Sequence, residues 1–194
     1  MVTPQELANH LDGIERRSNN LEPVCAVASQ MGVSAAKKRF TDQRDPEGRP
    51  WKRLQWRPSG GNRVLLDRGL LRASIYGRHD ARSATHGTNV AHARVHQFGA
   101  VIHARKRFMT VPLTAEAQRS GGARRFPRPL VPIVSRSGRT GVLVERARGS
   151  AGRRAQFALV KSVRVPRRAI VGWDQPTLDR IARAAGSYVT TGVL

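Results

Sequence analysis

Over the first forty positions apolar residues recur three and four apart: Leu7, Leu11 and Ile14, then Val24, Val27, Ala28, Met31 and Ala35. That spacing predicts two helices, one to about Arg17 and one from Leu21 to about Phe40, the second with Val24, Val27, Ala28, Met31 and Ala35 as its apolar stripe. Thr3-Pro4-Gln5-Glu6 is a helix start, because Thr3 can cap, Pro4 suits the first turn and Glu6 completes a capping box. Ser18-Asn19-Asn20 separates the two, and Gly32 predicts a weak point or kink. Near the C-terminus, Thr177, Leu178, Ile181, Ala185 and Val189 repeat the helical spacing behind a capping Asp174.

Between these helices the pattern loosens. Residues 41–63 read as a loop whose Asp45-Pro46-Glu47-Gly48 forms a tight turn, with Pro presetting one dihedral and Gly accepting a positive one. Trp51 and Trp56 are too large to float in so polar a stretch and are expected to pin it to the core. A short helix is expected from Leu66 to Ile75, including Gly69 and Leu71, then a strand near Thr85–Asn89. Residues 91–100, AHARVHQFGA, predict one more short helix, with Val95 and Phe98 packed inward and Gly99 ending it. Beyond His103 the chain changes character. Gly and Pro become frequent, and β-like runs appear at Phe108–Leu113, Leu130–Val134, Thr140–Glu145 and Gln156–Val163. This predicts a partly mobile, β-rich insertion between about 101 and 163, with 1–100 and 164–194 forming one core domain.

Charge sharpens that division. The chain holds 35 Lys or Arg against 13 acids, a formal net charge of +22, and residues 103–168 hold 17 of the cations with only Glu116 and Glu145 as acids. Such an excess implies a polyanion or an acidic partner surface. Arg far outnumbers Lys, which favours bidentate contact with phosphate or carboxylate. The candidate contacts are Arg105, Lys106, Arg107, Arg124, Arg125, Arg128, Arg153, Arg154, Arg167 and Arg168. The single cysteine, Cys25, excludes an internal disulfide. No apolar run reaches membrane-spanning length, so no membrane partner is expected, and the N-terminus reads as a helix rather than a signal peptide.

Catalytic chemistry finds little support. His92 and His96 are four apart and could share a metal on one helical face, but Ala93 stands where a zinc hydrolase places its glutamate. The reading preferred is that the segment only ends a helix and turns the chain. Cys25 sits within a predicted apolar stripe, and Ser74 and Ser83 have no motif around them. Gly60-Gly61 and Gly121-Gly122 lack the lysine and helix of a phosphate-binding loop. Phe108, Phe126 and Phe157 are too scattered for base stacking. No catalytic residue, metal or cofactor is therefore expected. A basic, non-catalytic nucleic-acid-binding protein remains compatible with composition alone.

Four colinear pieces, RFTDQRDPEGRPWKRL (39–54), LLDRGLLRASI (65–75), HGTNVAHARVHQFGA (86–100) and VPRRAIVGW (165–173), together resemble the bacteriophage virion morphogenesis family. FMTVPLTAEAQ (108–118) and FALVKSVRVP (157–166) are similar to the insertion of its Mu-like members. The matching positions are Asp45, Pro46, Gly48, Trp51, Gly69, Leu71, His96, Gln97, Gly99 and Pro166. The departures are His92-Ala93 where Tyr-Ala is common, and Pro166-Arg167-Arg168-Ala169-Ile170 where Pro-Ala-Arg-Pro-Phe is usual. The resemblance implies an α+β fold with helices on a small antiparallel sheet. It further implies a structural protein of the neck, head–tail connection or tail end (a tail-completion or terminator role), assembled in the host cytoplasm. Its implied partners are its own copies in a sixfold ring, neighbouring neck or tail proteins, and genomic DNA in the channel.

Overall fold

Thr3 does cap the first helix. Its hydroxyl accepts from the Glu6 amide while the Glu6 carboxylate accepts from the Thr3 amide, and α1 (Pro4–Asn19) follows. In the computed structural model, residues 3–53, 63–146 and 153–194 are described; the expectation for Trp56 lies outside them. They form two compact units. The first gathers the chain up to Trp51, Arg63–Gln97 and Arg168–Leu194, and the second is built mainly from Phe98–Arg167.

The first unit centres on α2 (Glu22–Asp42), which runs unbroken through Gly32. The glycine is needed for space rather than for a bend. A Cβ there would lie 2.4 Å from His86 Nδ1 and 3.0 Å from the Trp173 ring. Of the predicted stripe Val24 and Ala28 are buried, together with Ser29, Gly32, Val33, Ala36, Arg39 and Phe40, whereas Val27, Met31 and Ala35 lie one position off and stay half-buried. Against α2 pack α3 (Leu70–Ala73) and a two-stranded antiparallel ribbon, β1 (Tyr76–His79) with β2 (Ala84–Gly87). The expected helix from Leu66 shrinks to one turn because Gly69, at φ +71°, starts it. The unit closes with α4 (Ala93–Phe98) and α6 (Gln175–Thr191), the latter capped by Asp174 and packed on α1 and α2. Its core joins Phe40, Trp51, Val64, Leu71, Ile75, Ala93 and Ile170.

The second unit is mostly sheet. β3 (Ala100–His103) pairs with β8 (Ser162–Val165). A separate antiparallel sheet has the order β4 (Met109–Pro112), β7 (Ala155–Val160), β6 (Gly141–Glu145), β5 (Leu130–Val134). The single run predicted from Gln156 to Val163 is thus two strands serving two sheets. A helix that the sequence reading left out, α5 (Ala115–Arg119), is capped by Thr114, whose hydroxyl accepts from the Ala117 amide. A turn of 3-10 helix at Ala123–Arg125 follows. Ala117, Phe126 and Phe157 form this unit's own core, with the two phenyl rings edge-on at 5.8 Å. The fold class is α+β. No helix among the described residues is long and apolar enough to cross a membrane.

Candidate functional site: a converging hub and a cation-rich unit

Residues scattered over 130 positions of the first unit converge on one stretch, Ala169–Asp174. The Trp51 indole donates to the Ala169 carbonyl at 3.1 Å, edge-on to Phe40, and only 5% of Trp51 is exposed. Gln97 accepts from the Ile170 and Val171 amides at 2.8 and 3.0 Å and donates to the Val171 carbonyl at 2.7 Å. Its amide thus stands in for a missing strand partner. Pro46 lies against Gly172, where a Cβ would come within 2.9 Å of its ring. Asp45 holds its own turn shut, accepting from the Arg49 amide and guanidinium, with Gly48 at φ +79°. Leu71 is buried in the same core.

Two further hub residues were not singled out in the sequence, Arg39 and His86. Arg39, buried, donates to the Ile170 carbonyl at 2.8 Å and pairs with Asp174 at 2.6 Å. Burial pushes the Asp174 carboxyl up, but hydrogen bonds from Thr177 and Arg39, with the Arg39 charge, outweigh it and hold the group below its ordinary range. An arginine set within an apolar helical row was the available signal, since burial at such a place requires a paired acid. His86 packs edge-on against Trp173 at 4.5 Å. Neither ring nitrogen makes a hydrogen bond of ordinary geometry. Burial and the Arg39 charge lower its pKa, partly offset by the Gly172 backbone and Asp174.

His92 and His96 rings stand edge-on at 6.2 Å, and burial, Arg168 and His92 all lower the His96 pKa. Among the described residues no group of three or more His, Cys, Asp or Glu could hold a metal. Ala93, not Phe98, is the buried residue of α4; Phe98 is 70% exposed. Phe98 is the last residue of a six-residue helix, immediately before the turn at Gly99 (φ +74°), and its side chain is left outside. Within the second unit a Cβ on Gly99 would meet the Arg167 amide at 2.9 Å, so Gly99 permits the close passage of the chain just after the half-buried Pro166. Gly69 has open space around it and serves only its positive φ.

The second unit carries the charge. Residues 98–167 hold 16 Lys or Arg and two acids. Both acids converge on one cation: Arg128 reaches Glu116 and Glu145, each at 2.5 Å, with its guanidinium also over the Phe126 ring. Arg128 is thus held by both acids of the unit, with 45% of its side chain still exposed. Arg168 is buried, with its pKa lowered by that burial. Arg105, Lys106 and Arg107 sit exposed on the loop between β3 and β4, and Arg124, Arg125, Arg153, Arg154 and Arg167 are exposed as well.

The phage virion morphogenesis family model matches residues 2–133. The chain belongs to the phage virion morphogenesis family. No curated protein and no solved structure shows significant similarity. In this family member the match covers the Asp45 turn, Trp51, Leu71, Gln97 and Gly99, and it ends within β5. The quoted 165–173 segment lies beyond it. A morphogenetic role in a phage virion fits a hub tied together by structural hydrogen bonds and a surface of cations.

Proposed function

We propose that this protein is a structural component of a tailed-phage neck or upper tail, a connector, completion or terminator protein. Its copies form a ring, sixfold to match the tail, around the DNA channel. One observation carries the reading: both carboxylates of residues 98–167 are engaged by Arg128, so this stretch of 16 cations and two acids carries a net excess of positive charge that its own acids do not balance. Six such units around a channel would meet DNA phosphates or the acidic faces of adjoining rings. A monomer gains nothing from so much like charge.

The test is electron microscopy of tail-only particles, of heads and of whole virions with the protein labelled. Label at the head–tail junction or the tail's upper end supports the proposal, and label elsewhere or absent from virions defeats it. Purified protein separates the rival reading of a basic nucleic-acid-binding module. That module would bind duplex with affinity falling steeply as salt rises, about 0.9 of a decade per decade of salt for each phosphate contact, and would form no rings.

A further inference from the structure

Three residues of the α2 stripe that sequence periodicity took for core, Val27, Met31 and Ala35, line clefts instead. Val27 and Met31 sit about 100° round the helix from the buried row. With Ala26, Gln30 and His79 they bound an apolar hollow of about 360 Å³. It adjoins a larger cleft of about 730 Å³, and Ser34 and Arg180 line both. Acids of the larger cleft already have cations: Asp42 has Lys38, Asp45 and Glu47 share Arg49, and Asp174 has Arg39. Arg180 makes no hydrogen bond or ion pair among the described residues.

The same unit carries a projecting element of opposite character. Every residue from Thr3 to Asp12 in α1 is exposed. Only the far end of the helix is tied down, by Arg17 donating to the Val189 and Thr190 carbonyls at 2.8 and 3.0 Å. Leu7 and Leu11 are 53% and 56% exposed one turn apart, and Glu15 continues their row. Residues 3–15 hold three acids, Glu6, Asp12 and Glu15, and no Lys or Arg, in a chain of net charge +22.

We propose that α1 of one copy seats in the α2 cleft of a second copy, with Leu7 and Leu11 in the hollow at Val27 and Met31, and Glu15 toward Arg180. An apolar i, i+4 pair entering an apolar groove is a common mode of helix recognition, and Glu15 finds a cation whose side chain has no partner among the described residues. Knob and groove are different patches of one unit, so copies can join head-to-tail, the type of contact that makes a ring where the rotation closes. The inference deepens the ring reading and rests on it.

The experiment uses full-length protein. Sedimentation and mass photometry of wild type, L7E/L11E and M31E are compared, with thermal melts to verify folding of these exposed or half-exposed sites. Both charge variants are expected to weaken self-association about tenfold or more, since each leucine carries the value of a buried apolar side chain. In a Cys25→Ser background, Leu11→Cys protein mixed with Met31→Cys protein is expected to form a disulfide-linked pair under mild oxidation. Wild-type protein that stays monomeric at every concentration overturns both this contact and the ring. Assemblies that form normally in L7E/L11E, without the cross-link, overturn this contact alone.

Discussion

Trp51 illustrates how one side chain ties a polar loop to a core. Its ring meets Phe40 edge-on and its indole N–H satisfies the Ala169 carbonyl. Trp51→Ala should cost about 3–5 kcal/mol in denaturant-measured stability, the scale for deleting a buried aromatic. Trp51→Phe should recover much of the packing yet leave that carbonyl without its donor, a residual of about 1–3 kcal/mol. His86 and His96 make a second prediction. Both are depressed by burial, so the unfolded chain takes up protons before the folded one does. Their contribution is complete above the unfolded histidine pKa, about 6.5, and is lost as pH falls below it. Melting temperature should drop between pH 7 and pH 5, and His86→Phe should flatten that drop; a profile unchanged by the substitution would count against it. Asp174, depressed as well, acts lower, its stabilisation fading as pH falls below about 4.

Capping chemistry was the most legible feature at the level of elements. Thr3, Asp174 and the Asp45 turn stand where the sequence puts them, because each rests on bonds within four residues. Long-range demands were less visible. Periodicity located α2 and its buried Val24 and Ala28 but misplaced the rest of the row, since Val27, Met31 and Ala35 are as apolar as the residues that are actually covered. Gly32 read as a weakness because its neighbours His86 and Trp173 lie more than fifty positions away. β7 and β8 read as one strand because nothing at Lys161 marks the change of sheet. α5 was missed although Thr114 supplied a cap, its five residues being too short for a period to register. Of the predicted contacts, Arg128 and Arg168 looked like any other basic residues. Only the tertiary positions of Glu116, Glu145 and the hub distinguish them.

Charge and core are partitioned together in the whole molecule. The first unit mixes both signs, while the second concentrates cations around a core of Ala117, Phe126 and Phe157. Phe157→Ala should cost about 3–5 kcal/mol of that unit's stability. Hydrogen exchange should report it as faster exchange in β4, β6 and β7, with amides of the α2 helix and the Trp51 environment little changed. Equal acceleration in α2 would mean that the two cores melt as one. The hub has a consequence for biosynthesis. Gln97 leaves the ribosome 73 residues before the Ile170 amide it binds, and Ile170 completes the core around Phe40. Nascent α1 and α2 must therefore wait through translation of the entire cationic stretch before their own domain can close. By the end of that interval most of the basic stretch has been synthesised while the first core is still open, so the order of synthesis exposes those cations to cellular polyanions such as RNA before the fold is complete.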